Sequence, residues 1–268
     1  MIFFKKLPTI FLLAVLATVF LVWHSTRAAS APQNQGEPAS DCAVTQDDVA
    51  TIKTIQGDPT LSYASKMAQE LIVRKTLLAK TITCAKGEIG TLRDTLHVVS
   101  STESGSVSIQ AQLMSRLDDA SNYYDLESDK LADAGIMGTE QVAKEILSWR
   151  GNVLAPLGNQ IDSFVMWSEN QPLFTAATAR MAQVSRIVSF LAATNDNDLA
   201  SAFSKAQATF HAAQDQNAAT EKAITQSLSG DEVSALMRQS LQSLADTYQN
   251  FFSISTIIQG AVSSPGQK

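Results

Sequence analysis

The sequence predicts an all-α fold, an elongated antiparallel helical bundle with coiled-coil-like packing. Three observations carry that expectation. Apolar residues recur in steps of three and four along most of the chain, which gathers them on one side of an α-helix. Glycine and proline number only 12 and 7 in 268 residues, too few for a succession of short strands and turns. No stretch alternates apolar and polar residues with the period of two that a half-buried strand requires. Hydrophobic residues make up 45% and charged residues 17%, a balance that can bury a core.

The first segment reads as targeting rather than fold. Lys5 and Lys6 precede an uncharged apolar run from Ile10 to Trp23, and Ala29-Ser30-Ala31 supplies the small-residue pattern of a cleavage site. Pro32 is a poor follower of that cut, and Thr26-Arg27-Ala28 is a weaker alternative. Left uncut, residues 7–23 are just long enough for membrane attachment, with both lysines on the cytoplasmic side. Residues 1–31 are thus expected to be a signal peptide or an N-terminal membrane anchor. Either way the rest is exported, released or membrane-anchored outside the cytoplasm.

Residues 32–44 read as a flexible polar linker, 45–262 as the bundle and 263–268 as a flexible tail. A short helix opens at Thr45, with Asp47 and Asp48 in its first turn and Val49, Ile52 and Ile55 on one face. Gly57-Asp58-Pro59 stops it. From Leu61 to Val99 a heptad-like stripe follows, broken only by Lys75, which means a long helix with a seam for its neighbours. At 1.5 Å per residue it runs roughly 58 Å. Gly87 and Gly90 lie within it, either permitting close packing or marking a bend.

Ser100 to Ser106 reads as a loop. A third helix from about Ile109 to Ala134 carries Leu113, Leu117, Ala120, Tyr124, Leu131 and Ala134 on its stripe. Thr139 is expected to cap a fourth helix bearing Val142, Ile146, Trp149 and Val153, with a kink near Asn152 imposed by Pro156. A turn at Ser168 to Pro172 opens a fifth helix, and a loop at Thr194 to Asp198 opens a sixth that runs to about Leu228. Ser229-Gly230-Asp231-Glu232 is a capping box for the seventh, so the last two helices form an antiparallel hairpin.

Chemistry is harder to find. The chain lacks Gly-x-Ser-x-Gly, Gly-x-Gly-x-x-Gly, a P-loop and His-Glu-x-x-His. Asp94 and His97 sit three apart on one helix, like half of a carboxylate-bridged metal motif, but Ala208 stands where the partner glutamate before His211 belongs. Asp118, Asp119, Asp125, Glu127, Asp129 and Asp133 lack the spacing and glycine of a calcium loop, so a solvated helix face is expected. No metal, cofactor or catalytic residue is predicted. Without residues 1–31 the body carries 17 basic and 26 acidic residues, a formal charge of −9 that disfavours nucleic acid.

Cys42 and Cys84 both follow the export segment and are expected to pair in an oxidising compartment. Closing a loop of about 43 residues contributes roughly 4 kcal/mol in the chain-entropy account. Trp149 and Trp167 are eighteen residues apart, so an unbroken helix puts both on one face, and with Arg150 they form a candidate interaction surface. The bland alternative makes the tryptophans core anchors.

The run Trp149-Arg150, Pro156, Trp167-Ser168-Glu169-Asn170-Gln171, Leu173-Phe174, Ala177 and Arg180-Met181 resembles a group of uncharacterised exported helical proteins of ultra-small bacteria. That resemblance implies an envelope-associated helical protein and carries no catalytic residues. The expected function is therefore a non-catalytic cell-envelope module acting as a scaffold, engaging a protein partner or itself through a helix face. The alternatives are an extracytoplasmic ligand-sensing bundle, or a hydrolase or metal-binding protein using His97 or His211.

Overall fold

In the computed structural model, residues 45–99, 104–191 and 197–263 are described, and they contain helices and no strand. The chain divides at Thr45, and only that residue of the first unit, Met1–Thr45, is described. The signal or anchor, the linker, Cys42, residues 100–103 and 192–196 of the expected loops, and the tail from 264 lie outside the described residues.

The described residues of the second unit form seven α-helices: α1 (Gln46–Gly57), α2 (Tyr63–Val98), α3 (Ser104–Asp133), α4 (Ile136–Trp149), α5 (Ala155–Leu191), α6 (Asn197–Thr225) and α7 (Gly230–Ser263). None of the described helices is long and apolar enough to cross a membrane. The all-α bundle expected from the three-four spacing is what forms.

Several ends are set by local chemistry. Ser62 caps α2, its hydroxyl accepting the Ser65 N–H at 3.1 Å. The capping box before α7 closes in both directions. The Glu232 N–H donates to Ser229 Oγ at 3.3 Å and the Ser229 N–H to Glu232 Oε2 at 3.1 Å. Between α6 and α7, Leu228 N–H reaches the Ala223 carbonyl and Ser227 N–H the Ile224 carbonyl, both at 3.1 Å. This is a Schellman ending with Ser227 at φ 55° in the place glycine usually takes. At the head of α4 the cap is Gly135, and the expected cap Thr139 is buried inside the first turn, donating to the Ile136 carbonyl.

Two expected interruptions of the chain turn out differently. A π-turn, Arg150–Leu154, joins α4 to α5, with the Ala155 N–H reaching back five residues to the Arg150 carbonyl. Pro156 has no N–H to offer the carbonyl four residues back, and the wider turn accommodates its ring. The disturbance expected near Asn152 is therefore a π-turn. No turn occurs at Ser168 to Pro172, because α5 runs straight through Pro172. A helix-interior proline costs about 3 kcal/mol. Burial of Phe164 and Trp167 before it and Phe174 and Ala177 after it exceeds that, at roughly 1.5–3 kcal/mol per large side chain. Asn170 Nδ2 and Gln171 Nε2 also donate to the Met166 and Trp167 carbonyls, both at 2.9 Å, in the turn the proline weakens. The α4–π–α5 run spans residues 136–191, roughly 84 Å at 1.5 Å per residue.

Three apolar clusters lie along α5. The first joins α2, α3, α4 and the start of α5 to the α6–α7 turn, through Ile89, Leu117, Ile146, Leu157, Phe164, Ile224 and Val233. The second centres on Phe174, Ala177, Phe210, Ala213 and Leu244, and the third on Val184, Val188, Leu199, Ala206, Phe251 and Ile254. Gln160 pins the junction: its Nε2 donates to the Ile224 carbonyl at 2.5 Å, and its Oε1 accepts from Arg116 and Ser227.

The seam from Leu61 to Val99 is used by this packing. Ile82, Ala85, Ile89 and Leu96 are buried inside the first cluster, whereas Ala64 and Ala68 are exposed. Gly87 and Gly90 neither end α2 nor admit a close neighbour, since a Cβ on either would meet nothing within 4 Å. Lys75, the one break in the stripe, stretches to the Ala132 carbonyl in the last turn of α3 at 2.7 Å, the favoured end of that helix dipole for a cation.

Candidate functional site

Tyr123 and Tyr124 are consecutive on α3, so their side chains leave the helix about 100° apart. Tyr124 enters the core and is fully buried, while Tyr123 stays half-buried at the surface. Trp149, the last residue of α4, packs against both. Its ring lies parallel to Tyr123 with centroids 4.3 Å apart and a 6° tilt, and meets Tyr124 edge-on at 5.4 Å. Both geometries suit the quadrupoles of aromatic rings.

Charged side chains from α3 and α4 converge beside this stack. Lys130 Nζ donates to Glu127 Oε1 at 2.7 Å and to Glu145 Oε2 at 2.9 Å. Gln141 Nε2 donates to Glu145 Oε1 at 2.7 Å, and Lys144 pairs with Glu140 at 2.7 Å. Glu127 is 1% exposed, and its Oε2 has no hydrogen-bond partner. A buried carboxylate oxygen without a donor is uncommon and calls for a reason. Glu127, Lys130, Gln141, Lys144 and Glu145, together with Tyr123, Ser148, Trp149 and Asn152, line an open groove of about 590 Å³. That is within the range of small-ligand and side-chain pockets.

The groove lining carries two carboxylates, Glu127 and Glu145, and two ammoniums, Lys130 and Lys144. Burial, reinforced by Glu127 and then Glu145, pushes the Tyr123 hydroxyl up to about 12, and burial does the same for Tyr124. Both phenols therefore remain protonated at neutral pH. Hydrogen bonds from Gln141 and then Lys130 hold the Glu145 carboxyl below the usual carboxylate range. Hydrogen bonds to Glu127 and Glu145 raise the Lys130 ammonium, which keeps it charged.

The candidate surface Trp149, Arg150 and Trp167 is not assembled as one face. Trp149 stands at the groove. Arg150 donates to Glu88 Oε2 on α2 at 2.7 Å. Trp167 is 2% exposed in the core beside Phe164, with ring centroids 6.1 Å apart, and no partner can reach it there. The π-turn between the two tryptophans breaks the 3.6-residue count that was to align them.

Among the described residues, no three His, Cys, Asp or Glu side chains are grouped to hold a metal ion. Asp94, His97 and His211 are exposed, the first two on α2 and the last on α6. In the acidic run, Asp118 pairs with Arg93 and Asp125 with Lys86, both at 2.5 Å, and Asp119, Asp129 and Asp133 are exposed. The solvated-face expectation fails at Glu127 alone. Position 127 falls on the three-four stripe between Tyr124 and Leu131, and a glutamate where that stripe asks for an apolar residue is the signal that marks it. Lys130, Gln141 and Glu145 carry no comparable mark. No family model, curated protein or solved structure matches the chain.

Proposed function

We propose that this chain is a non-catalytic, exported module of the cell envelope that binds a protein partner at the groove between α3 and α4. The observation that carries the reading is the junction of an aromatic stack, Tyr123 on Trp149, with a buried, half-satisfied carboxylate in an open groove. Tyrosine and tryptophan anchors are enriched in binding hot spots. The seam of α2 from Leu78 onward is taken up by the bundle's own core. Export is supported by the apolar run and flanking lysines of residues 1–31. The same reading includes the Cys42–Cys84 bridge, and no described cysteine is a free thiol.

A photo-crosslinking amino acid at Ser148, in the groove, and another at exposed Lys205 on α6 test the reading in intact cells. The expected result is one discrete protein adduct from position 148 and none from 205. A chain that stays uncrosslinked at 148 and monomeric after purification overturns it. Intact mass of the native protein reads the leader and the bridge together: a bridged chain weighs about 2 Da less than its reduced form and takes up no alkylating agent.

A further inference from the structure

We propose that the distal part of α5, α6 and α7 is an arm that opens as a unit while the groove-bearing part of the bundle stays folded. Met181 and Tyr248 each pack against both the second and the third apolar cluster. They join the two into one continuous arm: α5 from Phe174, α6 up to Ala213 and α7 from Leu244. The first cluster stops short of it, at Trp167 on α5, Ala223 on α6 and Met237 on α7. Among the described residues, no side chain is shared between the first cluster and the arm in the way that Met181 and Tyr248 are shared within it.

The interval between them is bridged by neutral polar groups. Gln171 on α5 and Asn217 on α6 exchange amide hydrogen bonds at 3.3 and 3.1 Å. Ser243 Oγ on α7 donates to Gln216 Oε1 at 2.9 Å, and Thr220 and Ser240, within the same interval of α6 and α7, are buried. Pro172 falls in that interval of α5, where it offers no N–H to the Ser168 carbonyl. Neutral hydrogen bonds hold helices in register but contribute little net stability, because each replaces bonds made to water. The step from Trp167 to Phe174 interrupts apolar packing along α5 over roughly 10 Å. Parts of a fold joined by few buried apolar contacts open at a lower free energy than the whole. Opening here parts Leu244, Phe251 and Ile254 of α7 from Phe210 on α6 and Val184 on α5. Tyr123 and Trp149 keep their places, because they pack against the first cluster.

Amide hydrogen exchange of the full chain, read by mass spectrometry in rising urea below the unfolding transition, tests the arm. Fragments of α5 after Phe174, α6 before Ala213 and α7 after Leu244 are expected to exchange together, about tenfold or more faster than those of α3. Their urea dependence is expected to be shallower, because the opening exposes only the arm's surface. Gln171→Leu combined with Asn217→Leu replaces both hydrogen-bond partners by apolar groups of similar size and joins the clusters. It is expected to slow exchange in the arm about tenfold and to bring its urea dependence to that of α3. Pro172→Ala, which restores the missing N–H, is expected to slow the arm as well. An unchanged helical circular dichroism spectrum shows that each variant is folded. A single rate and a single urea dependence for the arm and α3 in the parent chain overturn the proposal. So does a folded leucine pair, or a folded Pro172→Ala chain, whose arm exchanges as before. Should the leucine pair not fold, the parent chain and Pro172→Ala decide by themselves.

Discussion

Where α5 begins, between Leu157 and Trp167, it packs among large side chains and a surrounding set of charges. Where it ends, from Phe174 to Val188, its neighbours on α6 and α7 mix large side chains, among them Phe210, Leu244, Phe251 and Ile254, with buried alanines and neutral polar groups. The first region buries Ile89, Leu96, Leu117, Tyr124 and Phe164 completely or nearly so, and ion pairs from Glu70–Arg74 to Glu88–Arg150 surround it. In the second region alanines at 177, 206 and 213 are fully buried. Its helices are stitched by neutral hydrogen bonds: Thr247 to Thr209 at 3.0 Å, Ser243 to Gln216 at 2.9 Å, and Asn217 to Gln171 at 3.1 Å. Both ends bury large side chains and alanines, and they differ in their polar groups: ion pairs surround the first, neutral hydrogen bonds stitch the second.

Opposite substitutions in the two regions test that likeness of their cores most severely. Phe164→Ala, in the first region, is expected to cost about 3–5 kcal/mol in chemical denaturation, since a fully buried ring leaves a cavity. A loss below about 1 kcal/mol breaks the likeness. Ala213→Leu, in the second region, is expected to cost about 1–3 kcal/mol by overpacking, and a neutral result shows spare room between α5, α6 and α7. Gly87→Ala and Gly90→Ala are each expected to gain about 0.4–1 kcal/mol, because both sites are helical with open space for a Cβ. A lower melting temperature for either variant assigns these glycines a contact the structure does not contain.

Acid reads the charged region alone. Gln56 on α1, and then Arg74, hold the buried Glu70 carboxyl below its ordinary value. The folded form thus binds a proton less readily than the unfolded chain, and the contribution is complete above the ordinary value of 4.5. It is lost as pH falls through the depressed folded one. Amide hydrogen exchange is expected to accelerate in α1 on going from pH 6 to pH 3, after correction for intrinsic rates, before it does in α6 and α7. Uniform acceleration removes the clamp on α1 as the acid-sensitive element.

The helices and most of the core were legible because a single rule, apolar residues every three and four positions, sets both. Leu113, Leu117, Ala120 and Tyr124 sit where the stripe on α3 puts them. The rule fails where tertiary burial outweighs a local preference. Pro172 ends helices in isolation, yet four buried neighbours carry α5 across it. Thr139 is a good cap residue in the wrong place, because Gly135 reaches the cap position first. The seam of α2 was readable as a seam but not as one consumed internally, since the spacing of one helix does not say which neighbour covers it. The groove was only half legible. Trp149 stood out by type, whereas Lys130 and Glu145 meet only because α3 and α4 pack side by side.

The π-turn at Arg150–Leu154 inserts, in effect, one extra residue into an otherwise regular rod. Its consequence is rotational. Everything before it is offset in phase from everything after it, so Trp149 opens onto the groove while Trp167 turns inward to the core. Deleting exposed Gly151 restores an even pitch and forces a choice between the two tryptophans: either the groove keeps its aromatic wall or the bundle keeps its interior ring.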